Sequence, residues 1–254
     1  MTSENPAPAC KLAFVMALAM TGLFVAPAWA GPDNLRENLF GQHPAAGRSQ
    51  SPPVARYVSQ EGDVFVLDRS QNWPLLKFQD SPEVWALKPQ PAPRGDIIYK
   101  NDLGEPVLRA TRLGGLTLFT QDRPGGTAAA LAGGGPALRL PVLGPQQLLE
   151  RLAQASARAT RAARRLIPFE ADASPASSAL VADAALVTSE AVIRMAKRPG
   201  GLAIIARFSK VKLVEGHKPG ASVQQGVMRI TITPNDGLAG RPSSDRIMAA
   251  AGGR

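Results

Sequence analysis

The segment Arg241-Pro242-Ser243-Ser244-Asp245-Arg246 offers the clearest chemistry in this sequence. Two arginines flank two hydroxyls where a short helix can begin, and free amides together with the helix dipole favour an anion there. The competing expectation is that Ser243 or Ser244 caps the helix while Asp245 takes the anion's place. His217 and Lys218, in the loop Glu-Gly-His-Lys-Pro-Gly-Ala-Ser, are the remaining candidates for anion binding. That loop lacks the Gly-x-x-x-x-Gly-Lys-Ser/Thr cradle, and Pro219 removes an amide that a cradle would use.

Other chemistries are poorly provided for. His43 and His217 are far apart and have no His-x-x-x-His context, so no metal site is expected. Asp96, Asp102 and Glu105 lie close together but without the Asp-x-Asp-x-Asp-Gly pattern of a calcium loop. They read as turn chemistry and surface charge. No Gly-x-Ser-x-Gly is present, and a Ser-His-Asp triad would have to recruit the lone loop histidine His217. Asp63, Asp68, Asp80, Glu83 and Asp96 could supply a carboxylate pair for glycoside hydrolysis. That reaction depends on a separation of about 5.5 Å or roughly 6.5–9.5 Å, which spacing along the chain does not define. No cofactor is expected. Arg94-Gly95-Asp96 leads straight into a strand and reads as a chance tripeptide.

The chain has 29 Lys and Arg against 20 Asp and Glu, a net charge of +9. Arg151, Arg158, Arg161 and Arg165 form a basic stripe on a helix. Such a stripe is ordinarily a solvated face, but it also suits an anionic lipid surface. The expected partners are therefore anionic envelope components, lipid phosphate or lipopolysaccharide. Nucleic acid inside the cell is not expected, because the chain carries an export pattern.

That pattern opens the chain. Residues 1–30 read as a signal peptide: a polar start ending at Lys11, an apolar run from Leu12 to Val25, then Ala28-Trp29-Ala30. Cleavage is expected between Ala30 and Gly31. The run is too short to cross a ~30 Å hydrocarbon core at ~1.5 Å per residue. The single cysteine, Cys10, would leave with it, so the mature chain would have no disulfide or thiolate. A periplasmic or secreted location follows, with no transmembrane helix expected in the mature part.

The elements that must position these residues follow. Residues 31–53 read as a disordered leader. Residues 54–120 hold short apolar runs bounded by turn residues, an antiparallel β region in which several strands are apolar on both faces and so need cover on both. Asn101-Asp102-Leu103-Gly104 and Arg112-Leu113-Gly114-Gly115 are turns that make 96–119 a three-stranded meander. Residues 121–144 read as a Gly/Pro-rich linker, with at most a short strand at 138–142. Residues 145–248 hold two helices, one opening at Pro145 and one at Ser174-Pro175, then strands at 202–214 and 228–232.

"EGDVFVLDRS", "SPEVWALKPQPAPRGDIIYKNDLGEPVLRATRLGGLTLF" and "HKPGAS…GRPSSDRI" resemble an alphaproteobacterial family of exported proteins known only as a domain of unknown function. The resemblance spans Val54 to Met248 and implies export and one shared architecture. It implies no activity, ligand or catalytic residue. The expected fold is α+β, with an antiparallel β meander or roll in the N-terminal half and two helices then a β hairpin in the C-terminal half. Composition favours a non-enzymatic binding or envelope-associated module. The rival expectation is a hydrolase acting on envelope polymers through paired carboxylates.

Overall fold

The computed structural model describes residues 52–172 and 174–252. The expected signal segment with its Ala30–Gly31 cleavage point, leader residues 31–51 and His43 lie outside the described residues.

The short runs of the N-terminal half become nine strands: β1 (Val54–Ser59), β2 (Val64–Asp68), β3 (Leu75–Phe78), β4 (Val84–Ala86), β5 (Lys88–Pro91), β6 (Ile97–Lys100), β7 (Pro106–Ala110), β8 (Leu116–Leu118) and β9 (Thr127–Gly134). All pairings among them are antiparallel, in the order β4-β3-β2-β1-β9-β8-β7-β6-β5. The two edge strands, β4 and β5, are joined by Leu87 alone. Opposite edges one residue apart force the sheet to roll almost closed. Leu87 itself is fully buried. Tyr57, Phe65, Leu67, Leu108 and Leu118 fill the interior, and each such side chain contributes about 1.5–3 kcal/mol by burial. An aromatic row runs Tyr57–Phe65–Phe78–Trp85, with centroids 5.6, 5.8 and 6.3 Å apart. The meander expected at 96–119 is β6–β7–β8.

Cover on the outer face of β2–β4 comes from residues 138–140 and Leu238. Val66, Val84 and Ala86 pack there with Leu75, Leu138, Leu140 and Leu238. The 138–142 segment is not a strand. It is a strap whose Leu138 amide donates to Asp68 Oδ2 at 2.8 Å and whose Leu138 carbonyl accepts from Gln71 at 2.6 Å. Burial would raise the Asp68 carboxyl. Hydrogen bonds from Ser70, Leu138 and Gln71 outweigh it and hold the group below its ordinary value of 3.8.

The linker expected at 121–144 holds β9, which pairs with β1 on one side and β8 on the other. Ala and Gly are weak strand formers. Neighbours on both flanks, rather than propensity, decide a central strand.

In the C-terminal half α1 (Pro145–Ala163) begins with Pro at its first position, and Gln147 Oε1 accepts from the Gly144 amide at 3.1 Å. It lays Leu152, Ala155, Ala159 and Ala163 on α2 (Ser178–Ala196). Glu215 accepts from the Ser177 hydroxyl and from the Ser174 amide and hydroxyl at 2.7–2.8 Å, so Ser174 donates through both groups ahead of α2. Those donors, Ser177 first, hold the Glu215 carboxyl below its ordinary value. Pro175–Ala196 is long and apolar enough to cross a membrane by length and composition. Some 67% of its most apolar window is buried here, as the core helix of this half.

The strand expected over 202–208 is instead α3 (Gly201–Ile205). Periodicity alone does not separate a short apolar strand from a buried helical turn. A Cβ at Gly201 would lie 1.7 Å from the Met195 carbonyl oxygen, so only glycine lets α3 follow α2 so closely. Four strands make the second sheet, in the order β10-β11-β13-β12: β10 (Phe169–Asp172), β11 (Lys210–Glu215), β12 (Gly220–Gln224) and β13 (Val227–Ile232). β10, β11 and β13 run parallel, and β12–β13 is the hairpin. The molecule is α+β, and α4 (Ser244–Gly252) packs on α2 and β12.

A candidate anion site at the junction of the two halves

The Asn101–Gly104 turn is built from its own side chains. Asn101 Oδ1 accepts from the amides of Leu103 at 3.1 Å and Glu105 at 2.9 Å, and Gly104 takes φ 87°. The turn presents Asp102 to the start of α4. Asp102 Oδ1 accepts from the Ser243 hydroxyl at 2.6 Å, and Oδ2 accepts from the Ser243 amide at 2.9 Å and Arg246 Nε at 3.2 Å. Glu83, just ahead of β4, does the same one residue on. It accepts from the Ser244 amide at 2.9 Å and from the Ser244 hydroxyl at 2.5 Å.

The arginines complete this junction. Arg241 is almost fully buried, pairs with Asp183, lies 3.7 Å from Glu83 and donates to the Val84 carbonyl at 2.7 Å. Arg194 on α2 donates to Ser244 Oγ at 2.5 Å and Asp245 at 2.8 Å. The Arg246 amide donates to Ser243 Oγ at 3.1 Å, so Ser243 caps α4 as the competing expectation had it, and the anions that meet Arg241–Arg246 are the chain's own carboxylates. Burial pushes the Glu83 carboxyl above its ordinary value of 4.5, against the opposing pull of Arg241 and Ser244.

Beside this latch lies a cleft of about 670 Å³, a volume within the roughly 300–1,000 Å³ range of small-molecule sites. The β roll contributes Lys88, Gln90, Lys100 and Trp73 to it. The C-terminal half contributes Lys218, Asp236 and Arg246. Lys88 and Lys100 are directly opposed across the β5–β6 ladder. Like charges so placed repel. Neither they nor Lys218 has a carboxylate or hydrogen-bond partner for its side chain among the described residues.

His217 is exposed and does not line the cleft, so of the two loop candidates only Lys218 does. The arginine stripe divides. Arg151 and Arg161 are exposed. Arg158 turns inward to Ser189 at 3.1 Å and Glu190 at 2.7 Å, and Arg165 to the carbonyls of Ile205 (2.7 Å) and Phe208.

The carboxylates weighed for hydrolysis are scattered and mostly engaged: Asp63 with Ser59, Asp68 with Ser70 and the strap, Glu83 in the latch. Asp96, of the Arg-Gly-Asp tripeptide, accepts from Arg109 Nε at 2.8 Å and the Arg112 amide at 3.3 Å. The Arg109 hydrogen bond, with help from Arg112 and Arg94, holds the Asp96 carboxyl below its ordinary value against the effect of burial. Among the described residues no group of three His, Cys, Asp or Glu is placed to hold a metal.

Lys88, Lys100 and Asp236 are the cleft residues that spacing did not reveal. Lys-Pro-Gln-Pro reads as loop, and the register that opposes Lys88 to Lys100 is set by the single helical turn at Pro93–Gly95. The two lysines flank a turn, but Asp96 lies between them and Asp102 two residues beyond, so their lack of a partner was not legible in the sequence.

Fold and cleft define an α+β protein in which a nearly closed β roll is latched to a helix-covered sheet, with a basic cleft at the junction. The chain belongs to the family described as a domain of unknown function, DUF4908, whose model matches residues 34–251. No curated protein and no solved structure matches it.

Proposed function

We propose that this chain is an exported, non-enzymatic binding protein of the cell envelope that takes an anionic ligand in the cleft between its two halves. The observation that carries this is the opposed pair Lys88 and Lys100, joined by Lys218 from the other wall. Three lysines without a carboxylate partner line one concavity, two of them opposed across a ladder, and such local conflicts concentrate at functional sites. Support for export is the leader pattern ending at Ala30. Support for binding over hydrolysis is that the cleft lacks a free carboxylate pair: of its two carboxylates, Asp102 has both oxygens engaged by Ser243 and Arg246, which leaves Asp236 alone.

Calorimetric titration with pyrophosphate tests the cleft. Binding is expected to weaken as salt rises and to drop about tenfold or more in the Lys100→Ala/Lys218→Ala variant, and no binding at low salt contradicts the assignment. N-terminal sequencing of the protein from envelope and culture fractions tests export. The expected first residue is Gly31, and an intact Met1 in the cytosolic fraction contradicts it.

A further inference from the structure

The same cleft carries features that a bare anion would not use. Trp73 lines it at 40% exposure and makes no ring contact among the described residues. In a chain with only 3 tryptophans, a large apolar face left open at the mouth of a cleft is a platform for a ligand surface. Asp236 also lines the cleft, and its carboxylate has no hydrogen bond or ion pair among the described residues. A carboxylate there repels an approaching polyanion, yet it is a strong acceptor for hydroxyl groups. Gln90, exposed on the same wall, adds a donor and an acceptor.

Lysines alone would suit any phosphate, and tryptophan with a carboxylate alone would suit a neutral sugar. The combination requires one ligand with both parts. Resting on the assignment of the cleft as an anion site, we infer that its ligand is a phosphorylated sugar. The phosphates lie toward Lys88, Lys100, Lys218 and Arg246, the sugar ring lies on Trp73, and its hydroxyls donate to Asp236. Both walls contribute, so the ligand bridges the β roll and the C-terminal half. Such a ligand exists free or as the head of an envelope glycolipid, and the two sources share this chemistry.

Competition calorimetry on the full chain separates the alternatives, with fructose bisphosphate, free fructose, pyrophosphate and lipid A as probes. Fructose bisphosphate is expected to bind about tenfold more tightly than pyrophosphate, a margin equal to one good ring contact. Trp73→Ala should erase that margin and leave pyrophosphate unchanged, while Trp73→Phe restores most of it. Asp236→Asn should act with opposite signs, tightening pyrophosphate and weakening fructose bisphosphate. Lipid A binding that Trp73→Ala weakens, with fructose bisphosphate weak, assigns the source to an envelope glycolipid. Equal affinity for pyrophosphate and both sugar phosphates, untouched by Trp73→Ala, overturns the sugar assignment and leaves the anion site standing. Failure of every phosphate probe overturns both.

Discussion

Arg241 is the buried cation on which the junction turns. It lies between Asp183 and Glu83 and reaches a strand carbonyl of the β roll, with its own side chain almost wholly out of water. Removing one member of a buried pair leaves the others charged and unsolvated, so Arg241→Ala is expected to cost about 3–5 kcal/mol. Glu83→Gln removes the charge facing Arg241 and one of the two oxygens that accept from Ser244, so about 1–3 kcal/mol is expected. Urea denaturation at neutral pH checks the ordering. The carboxylates also fix the acid response. Asp68 and Asp96 are held below their ordinary value of 3.8 in the folded chain. Their contribution is therefore present above that value and is lost as pH falls through the lower folded-state value. Glu83, raised above 4.5, has the opposite sign: its contribution is present below 4.5 and fades as pH rises through the folded value. Asp96→Asn is expected to be less stable than the parent at neutral pH, and the gap should close as both are acidified to about pH 2. A gap independent of pH would show that the Arg109 pair is not its source.

At the scale of elements, legibility followed locality. Strands β1–β4 and β6–β8 were legible because turn residues and short apolar runs sit side by side in the sequence. β9 was not, because Thr-Ala-Ala-Ala-Leu-Ala-Gly-Gly is a strand only by virtue of β1 and β8 on its flanks. α3 was misread because Leu202–Phe208 is apolar enough for either element, and the Gly201–Met195 contact that selects the helix is tertiary. The chemistry of Arg241–Arg246 was legible as anion-seeking. That Glu83 and Asp102 answer it was not, since they lie 161 and 141 residues from Ser244 and Ser243. This latch makes an element-level prediction. Asp102→Ala removes the acceptor for the Ser243 amide and hydroxyl and for Arg246, at an expected cost of about 1–3 kcal/mol. Amide hydrogen exchange should accelerate in the first turn of α4 and at Asn101–Gly104 while the aromatic row of the roll stays protected. Unchanged exchange in α4 would mean that Glu83 alone holds the helix.

At the scale of the molecule, the α+β order of a β roll followed by helices and a hairpin was legible, whereas the closure of the roll through Leu87 and the cleft beside the latch were not. Closure depends on β4 and β5 meeting different partners, and the cleft depends on how two distant parts of the chain face each other. The same buried contacts, Leu138 and Leu238 on the roll and Arg241 between the halves, join the two into one folding unit. A ligand held by lysines from both walls should stabilise that whole unit by mass action. Thermal unfolding with and without pyrophosphate, in the parent chain and in Lys100→Ala/Lys218→Ala, tests this most directly. A single transition that moves up with pyrophosphate in the parent and stays in place in the variant is expected. A transition that does not move in the parent, or that moves equally in both, would contradict it.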